Sequence, residues 1–263
     1  MLIDVTSGDG PCHADNPRGR SQVKCVIVAA GQGLRLRGLA TLKPLALFRG
    51  APLISWVIES ALAGGVTEFV VVTGYEGDRL EAWLNAFAAE RGIALTCVRN
   101  PNWTASNGLS VAAAAPLIED RFILLMSDHL FDPSIVHDLI QAGSDPRGAV
   151  LAVDRRLDDP LVDLEDVTRV QAAPDGRIER IGKLIETYNA FDTGIFLASK
   201  GLIAAIEADV AEGGAGSISA GMQRLGAQGL ASTFDIGDRF WLDIDDPAAF
   251  GRAERAAPQL VAG

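Results

Sequence analysis

Residues 25–45 read CVIVAAGQGLRLRGLATLKPL, and the expected fold and chemistry both grow from this stretch. Its opening run, Cys25 to Ala30, is apolar, uncharged and β-branched at its centre, and it stops at a glycine, which predicts a buried strand. Gly31-Gln32-Gly33-Leu34-Arg35 follows, and then Lys43-Pro44-Leu45. Paired glycines let a backbone pass close to a ligand and turn free N–H groups toward phosphate oxygens. Arg35 and Lys43 place positive charge beside that turn, an arrangement suited to a nucleoside triphosphate. Two commoner glycine loops fail on the residues. A dinucleotide fingerprint needs glycine at the sixth position, which is Leu36, and a P-loop needs Gly-Lys-Ser/Thr in succession, which the chain lacks. A plain strand-to-helix turn is the alternative for an isolated GxG; the cations downstream weigh against it.

Composition narrows the choices further. The chain has 263 residues, 48% of them hydrophobic, enough for one sizeable core. A net charge of −11 argues against nucleic-acid binding, so a phosphate site must be a local basic pocket in an acidic body. The cysteines, Cys12, Cys25 and Cys97, lack metal-ligand spacing, and Cys25 reads as a small buried apolar residue. A reducing cytoplasm fits them. No run is long enough to span a bilayer and no signal-peptide core is present. Residues 1–22 read as a disordered polar leader, 23–256 as the folded domain and 257–263 as a tail.

From residue 23 onward the pattern alternates. Strands are predicted over 25–30, 68–73, 93–98 and 121–126, with helices over 52–63, 77–91 and 109–115 between them. Such alternation of apolar runs implies a mostly parallel α/β sheet of the Rossmann-like kind, covered by helices on both faces. Ligands bind beyond the carboxyl ends of such strands. The second half is richer in strands, over 149–153, 167–172, 178–185 and 194–198, and predicts a small acceptor-side β lobe. Helices over 219–226 and 248–256 complete the reading.

Several constellations carry chemistry. Met126-Ser127-Asp128-His129-Leu130 closes the fourth strand, where a carboxylate is placed to hold Mg²⁺ against phosphate, or else to cap the next helix. In Trp241-Leu242-Asp243-Ile244-Asp245-Asp246-Pro247, Asp243 and Asp245 point the same way if the chain is extended, while Asp246-Pro247 suits a helix start. Ser106, Asn107 and Ser110 offer amide and hydroxyl groups near a helix N-terminus for reading a base or ribose, or form an ordinary loop. Lys183 offers a point charge for a phosphate monoester, against the default of a solvated lysine. Glu186, Asn189 and Asp192 offer acceptors to polyol hydroxyls. His129 either touches a ligand or orients its loop.

The stretch AAGQGLR with LKPL resembles the signature of nucleotidyltransferases that make NDP-sugars and CDP-alcohols, with Leu42 where proline is usual. WLDIDDP is similar to the WxDIDTP element of that family, and NPNWTASNGLS to its CDP-alcohol branch. MSDHLF together with YNAFDTGIF resembles the inositol-1-phosphate cytidylyltransferases, over residues 23 to 255. The resemblance implies a Mg²⁺-dependent transfer from CTP to myo-inositol 1-phosphate, giving CDP-inositol and pyrophosphate. It places the nucleotide near Ala29, Ala30, Gly31, Gly33 and Gly74, and near Ser106, Asn107 and Ser110. Arg35, Lys43 and Lys183 become the catalytic cations, with metal ligands Asp128 and Asp243 or Asp245. The acceptor falls to Lys183, Glu186, Asn189 and Asp192. The implied product passes to a membrane CDP-alcohol phosphotransferase, from a cytoplasmic monomer or homodimer that itself inserts in no membrane. Phosphocholine with CTP, or a sugar 1-phosphate with UTP or dTTP, is the neighbouring alternative. A catalytically silent regulatory subunit is the alternative of another class.

Overall fold

The computed structural model describes residues 23–36 and 41–257; the predicted leader and all but the first residue of the predicted tail lie outside the described residues. The opening strand forms as β1 (Lys24–Ala29) and is followed by the short hairpin β2 (Leu47–Phe48) and β3 (Ala51–Pro52). Then come α1 (Leu53–Ala63), β4 (Glu68–Thr73), α2 (Gly77–Arg91), β5 (Ala94–Arg99), α3 (Asn107–Ala113) and β6 (Phe122–Met126). A short strand β7 (His129–Phe131) and helix α4 (Pro133–Ala142) lead into β8 (Ala149–Asp154), β9 (Arg169–Ala172), β10 (Ile178–Gly182) and β11 (Ala190–Ala198). The chain finishes with α5 (Lys200–Ala211), α6 (Ile218–Ala227), β12 (Ala231–Asp235), β13 (Trp241–Asp243) and α7 (Pro247–Ala256).

β6, β1, β4 and β5 lie side by side and parallel. The chain runs outward from β1 to β4 and β5, then returns to the other side of β1 as β6. The crevice between the carboxyl ends of β1 and β6 is therefore a topological switch point, where open α/β sheets bind ligands. β11 runs antiparallel beside β6, and it also pairs with β8 and β9, so the strand-rich second half continues the same nine-stranded sheet. The strands expected to form a small lobe are instead the antiparallel flank of that sheet. Alternation along the strands feeds two cores. Cys25, Ile27 and Ala29 pack with α1, α2 and α4 on one face, while Val26 lies in the core shared by α3, α5 and α6.

A third cluster matters most for function. Leu130 and Leu242 are buried with Phe48, Leu53, Trp56 and Ala253. They anchor the two-stranded ribbon of β7 and β13, whose register sets Asp243 opposite His129 and Leu242 opposite Leu130. Period-two alternation thus sends the leucines to the core and leaves the aspartate and histidine facing the crevice. Burying each leucine contributes about 1.5–3 kcal/mol to holding the ribbon in place. Asp246 caps α7 by accepting a hydrogen bond from Ala249 N at 2.7 Å.

Candidate active site

The turn after β1 explains both of its glycines differently. A Cβ on Gly31 would meet nothing within 4 Å, so its backbone faces open space. Gly33 has φ +60° and a Cβ there would sit 2.4 Å from Lys43 Cβ. The second glycine therefore admits Lys43. That lysine begins a 3-10 turn, Lys43–Leu45, and is only 6% exposed. Its Nζ contacts Asp128 Oδ2 at 2.5 Å and also pairs with Asp245. Arg35 stands at the rim, with one guanidinium nitrogen 2.5 Å from Asp245 and another 2.7 Å from Asp166. Lys183 pairs with the same Asp166. An alternating chain of charge thus runs Lys183, Asp166, Arg35, Asp245, Lys43, Asp128 along a cleft of about 410 Å³.

Next to it lies His129. Its Nδ1 is 2.8 Å from the Thr193 carbonyl oxygen, which can only accept, so Nδ1 carries a proton. Its Nε2 faces Asp243 at 3.4 Å and Asp128 at 3.7 Å. β11 bulges here, with a register shift against β8 between Asp192 and Phe196. Gly194 occupies the bulge at φ +73°, and a Cβ on it would lie 2.2 Å from His129 Nδ1. A bulge beside a site re-aims the neighbouring side chains. Here Asp192 enters the cleft and accepts from Gly194 N at 2.8 Å.

Charges this close shift one another. Burial disfavours the charged Lys43, but Asp128, Asp243 and Asp245 outweigh it and hold the ammonium above its ordinary range. Burial likewise opposes ionisation of Asp128 and Asp245, yet Lys43 keeps both below the usual carboxylate value. Asp192 is pushed up to about 6 by burial. Asp243 is also raised to about 6, by burial and by its acidic neighbours against the pull of His129. For His129, burial favours the neutral ring, but Asp243, Asp128 and the Thr193 carbonyl push it up to about 10.

Of the residues expected at the nucleotide, Ala29, Ala30, Gly31, Gly33, Asn107 and Ser110 line the cleft, as does Lys43. Asp128, Asp243 and Asp245 come together in it, and Lys183 and Asp192 also line it. Two residues expected at the nucleotide are placed otherwise. Ser106 is the residue preceding α3, outside the cleft wall. Gly74 packs beneath Trp103, where a Cβ would be 2.4 Å from Trp103 Cβ, and the indole lines the cleft in its stead. Two residues expected at the acceptor are also placed away from the cleft. Asn189 binds backbone, accepting from Ala172 N at 3.0 Å and donating to Ala172 O at 2.8 Å, because the segment entering β11 must register against β9. Glu186 is exposed and outside the cleft wall. Asp163, Asp166 and Thr168, on the connection from β8 to β9, line the cleft instead.

Residues 25–225 match the family model described as the MobA-like NTP transferase domain. The chain belongs to that family. Among relatives of this MobA-like domain, the bifunctional IPC transferase and DIPP synthase of Rubrobacter xylanophilus is 33% identical over 233 residues, 87% of this chain and 50% of the relative. The protein of the same name from Aquifex aeolicus is 28% identical over 88% of this chain and 50% of its own length. The chain therefore spans about half the length of these curated relatives. The structure described as the inositol-1-phosphate CTP transferase from T. maritima superposes with a TM-score of 0.76 at 27% identity, covering 92% of this chain and 99% of that one.

The acidic part of the MobA-like domain's cleft suits a divalent cation. Among the described residues two groups offer ligand atoms within 4.8 Å of one another: Asp128, His129 and Asp243, and Asp166, Asp243 and Asp245. Asp243 Oδ1 is buried and has no hydrogen-bond partner, as an oxygen shaped to meet a cation would be. Asp166 and Trp103 carried no expectation in the sequence. Asp166 sits in a run of irregularly spaced acids whose path depends on a long connection. Trp103 carried a usable signal, an indole inside a polar loop next to a strand end.

Proposed function

We propose that this domain condenses CTP with myo-inositol 1-phosphate to give CDP-inositol and pyrophosphate, using Mg²⁺ as its divalent cation. The observation that carries the reading is a row of three cations threaded by carboxylates along one cleft. Lys43 is held by Asp128 and Asp245, while Arg35 and Lys183 share Asp166. Two phosphorylated substrates meeting in one cleft need that much positive charge. The names of the relatives and of the T. maritima structure support the same substrate pair.

The acceptor's phosphate oxygen attacks the α-phosphorus of CTP, one P–O bond forms, and the bond to the departing pyrophosphate breaks. A phosphate monoester is already nucleophilic at neutral pH, so positioning and charge neutralisation suffice and no side chain need remove a proton. Gly31 and Gly33 offer backbone to the triphosphate, Arg35 and Lys43 neutralise charge that builds on the leaving group, and Lys183 holds the acceptor phosphate. Asp128 and Asp243, with Asp245 beside them, would hold Mg²⁺, which supplies charge neutralisation to phosphate oxygens when bound. Asp192, Asp163 and Thr168 offer acceptors to a polyol. Phosphocholine is disfavoured by a specific contact. Tyr188, the tyrosine near Lys183, already lies under Arg169 at 5.0 Å and against Phe191, and is not open to a quaternary ammonium. The CDP-alcohol would next be consumed by a membrane CDP-alcohol phosphotransferase; among the described residues no helix is long and apolar enough to cross a membrane.

A pyrophosphate-release assay crossing the four NTPs with inositol 1-phosphate, phosphocholine and glucose 1-phosphate tests the reading. Release is expected with CTP and inositol 1-phosphate. Release confined to UTP or dTTP with glucose 1-phosphate would move the domain to sugar activation.

A further inference from the structure

The reaction proposed above leaves His129 without a task, since no proton need be removed. Yet its ring is held from three directions. The β7–β13 register sets it opposite Asp243, Gly194 closes on its ring, and Thr193 O engages Nδ1 at 2.8 Å. A backbone carbonyl on Nδ1 keeps the proton there and leaves Nε2 as the nitrogen that gives up its proton to a cation, the way a metal-bound imidazole is usually oriented from behind. That Nε2 points at Asp243 Oδ1, 3.4 Å away, the same buried oxygen that lacks a hydrogen-bond partner. Asp128 lies 3.7 Å off, and one atom from each of the three residues falls within 4.8 Å of the others. Donors spread around a single cation bound at about 2.0–2.1 Å stand at separations of this order.

We infer that His129 Nε2 is a third protein ligand to the divalent cation, beside Asp128 and Asp243, and raises the affinity of this centre for Mn²⁺ relative to Mg²⁺. The inference rests on the reading that the cleft holds such a cation. Imidazole suits the transition metals, whereas Mg²⁺ favours oxygen donors and water. On binding, the dication replaces the Nε2 proton, which leaves to solvent, while Nδ1 keeps its own against Thr193. The alternative is that His129 stays an imidazolium, merely balancing the acids.

Mn²⁺ binding followed by electron paramagnetic resonance separates the two. The protein would be titrated in nitrogen-free buffer, alone and with inorganic triphosphate, which brings phosphate oxygens but no nitrogen. The wild type should show ¹⁴N modulation of the Mn²⁺ spin echo. His129→Gln should lose it and lower the ratio of Mn²⁺ to Mg²⁺ affinity about tenfold or more. His137→Gln, which alters an exposed histidine of α4, should keep both. If the glutamine variant folds poorly, wild-type protein labelled with [¹⁵N]histidine must lose the ¹⁴N signal. Bound Mn²⁺ without nitrogen coupling, an unchanged affinity ratio, or no Mn²⁺ binding in either condition would overturn the assignment. None of these readouts uses CTP or an acceptor, so they fail separately from the pyrophosphate assay.

Discussion

Lys43 keeps its charge in a place where burial alone would remove it. A largely buried ammonium is costly unless paired, and here Asp128 and Asp245 pair it from two sides. The same contacts aim Nζ into the cleft. If Lys43 acts mainly as pyrophosphate departs, Lys43→Ala should cost about 2.7–4 kcal/mol of transition-state stabilisation, comparable to losing one oxyanion-hole donor. Single-turnover rates at saturating CTP measure this, and an unchanged rate would remove the lysine from the chemistry. That such residues gather at one cleft was legible because their signal is local: a strand end, two glycines and a lysine within one short stretch. Asp128 and Asp243, each at the end of an apolar run, reach the same cleft. Asn189 was misread because spacing cannot reveal whether an amide faces a ligand or, as here, the backbone of Ala172. Asp166 went unseen because Arg35 and Lys183 reach it only after the chain has folded.

At the scale of elements, the cleft-facing ribbon of β7 and β13 is held from behind by one buried acid. Asp154, at the end of β8 and wholly buried, accepts from Trp241 Nε1 at 2.7 Å and from two nitrogens of the Arg156 guanidinium. Asp154→Ala would leave the buried indole N–H unpaired and take from the half-exposed Arg156 its main partner, leaving Asp159 and the Arg239 carbonyl, so a loss of about 2–3 kcal/mol is expected in urea unfolding. Trp241→Phe removes a neutral donor while Arg156 still serves the carboxylate, and its lost hydrogen bond should cost only about 1 kcal/mol beyond any repacking. Equal losses in the two variants would contradict this account. A second junction ties α2 to β5. Glu81 accepts from Arg99 Nε at 2.8 Å and also from Thr73, and these hydrogen bonds hold its carboxyl below the usual range. Because the folded value is depressed, its contribution is full above the unfolded value of about 4.3 and fades as pH falls through the folded one. The stability gap between wild type and Glu81→Gln should therefore be flat near neutrality and narrow in acid. A gap that widened in acid would have the wrong sign. The elements unread in the sequence have physical reasons. Helix α4 opens on Asp132-Pro133, where proline at the first position starts a helix although it resembles a breaker. The alanine-rich α5 shows little alternation to mark it, and β12 is short and half-buried.

Across the whole molecule, β11 decides how the halves relate. It comes from the second half of the chain, yet it pairs with β6 from the first as well as with β8 and β9. The parallel core was legible from its apolar runs, and so was the strand-rich flank. The join between them was not, because strand order depends on which edges remain open once β1, β4 and β5 have paired. That join has a measurable consequence. Without β11 the buried edge of β6 would present unpaired backbone groups, which a stable unit cannot leave dry. The two halves should therefore lose structure together. Trp56 packs in α1, in the first half, and Trp241 lies in β13, in the second, both nearly buried. Variants that keep Trp56 or Trp241 as the single tryptophan, with Trp83 and Trp103 also replaced by phenylalanine, should give fluorescence transitions with the same urea midpoint, after correction for each variant's own stability by circular dichroism. Separate midpoints within one variant, fluorescence against circular dichroism, would mean that the β6–β11 seam parts first and that the acceptor side unfolds on its own.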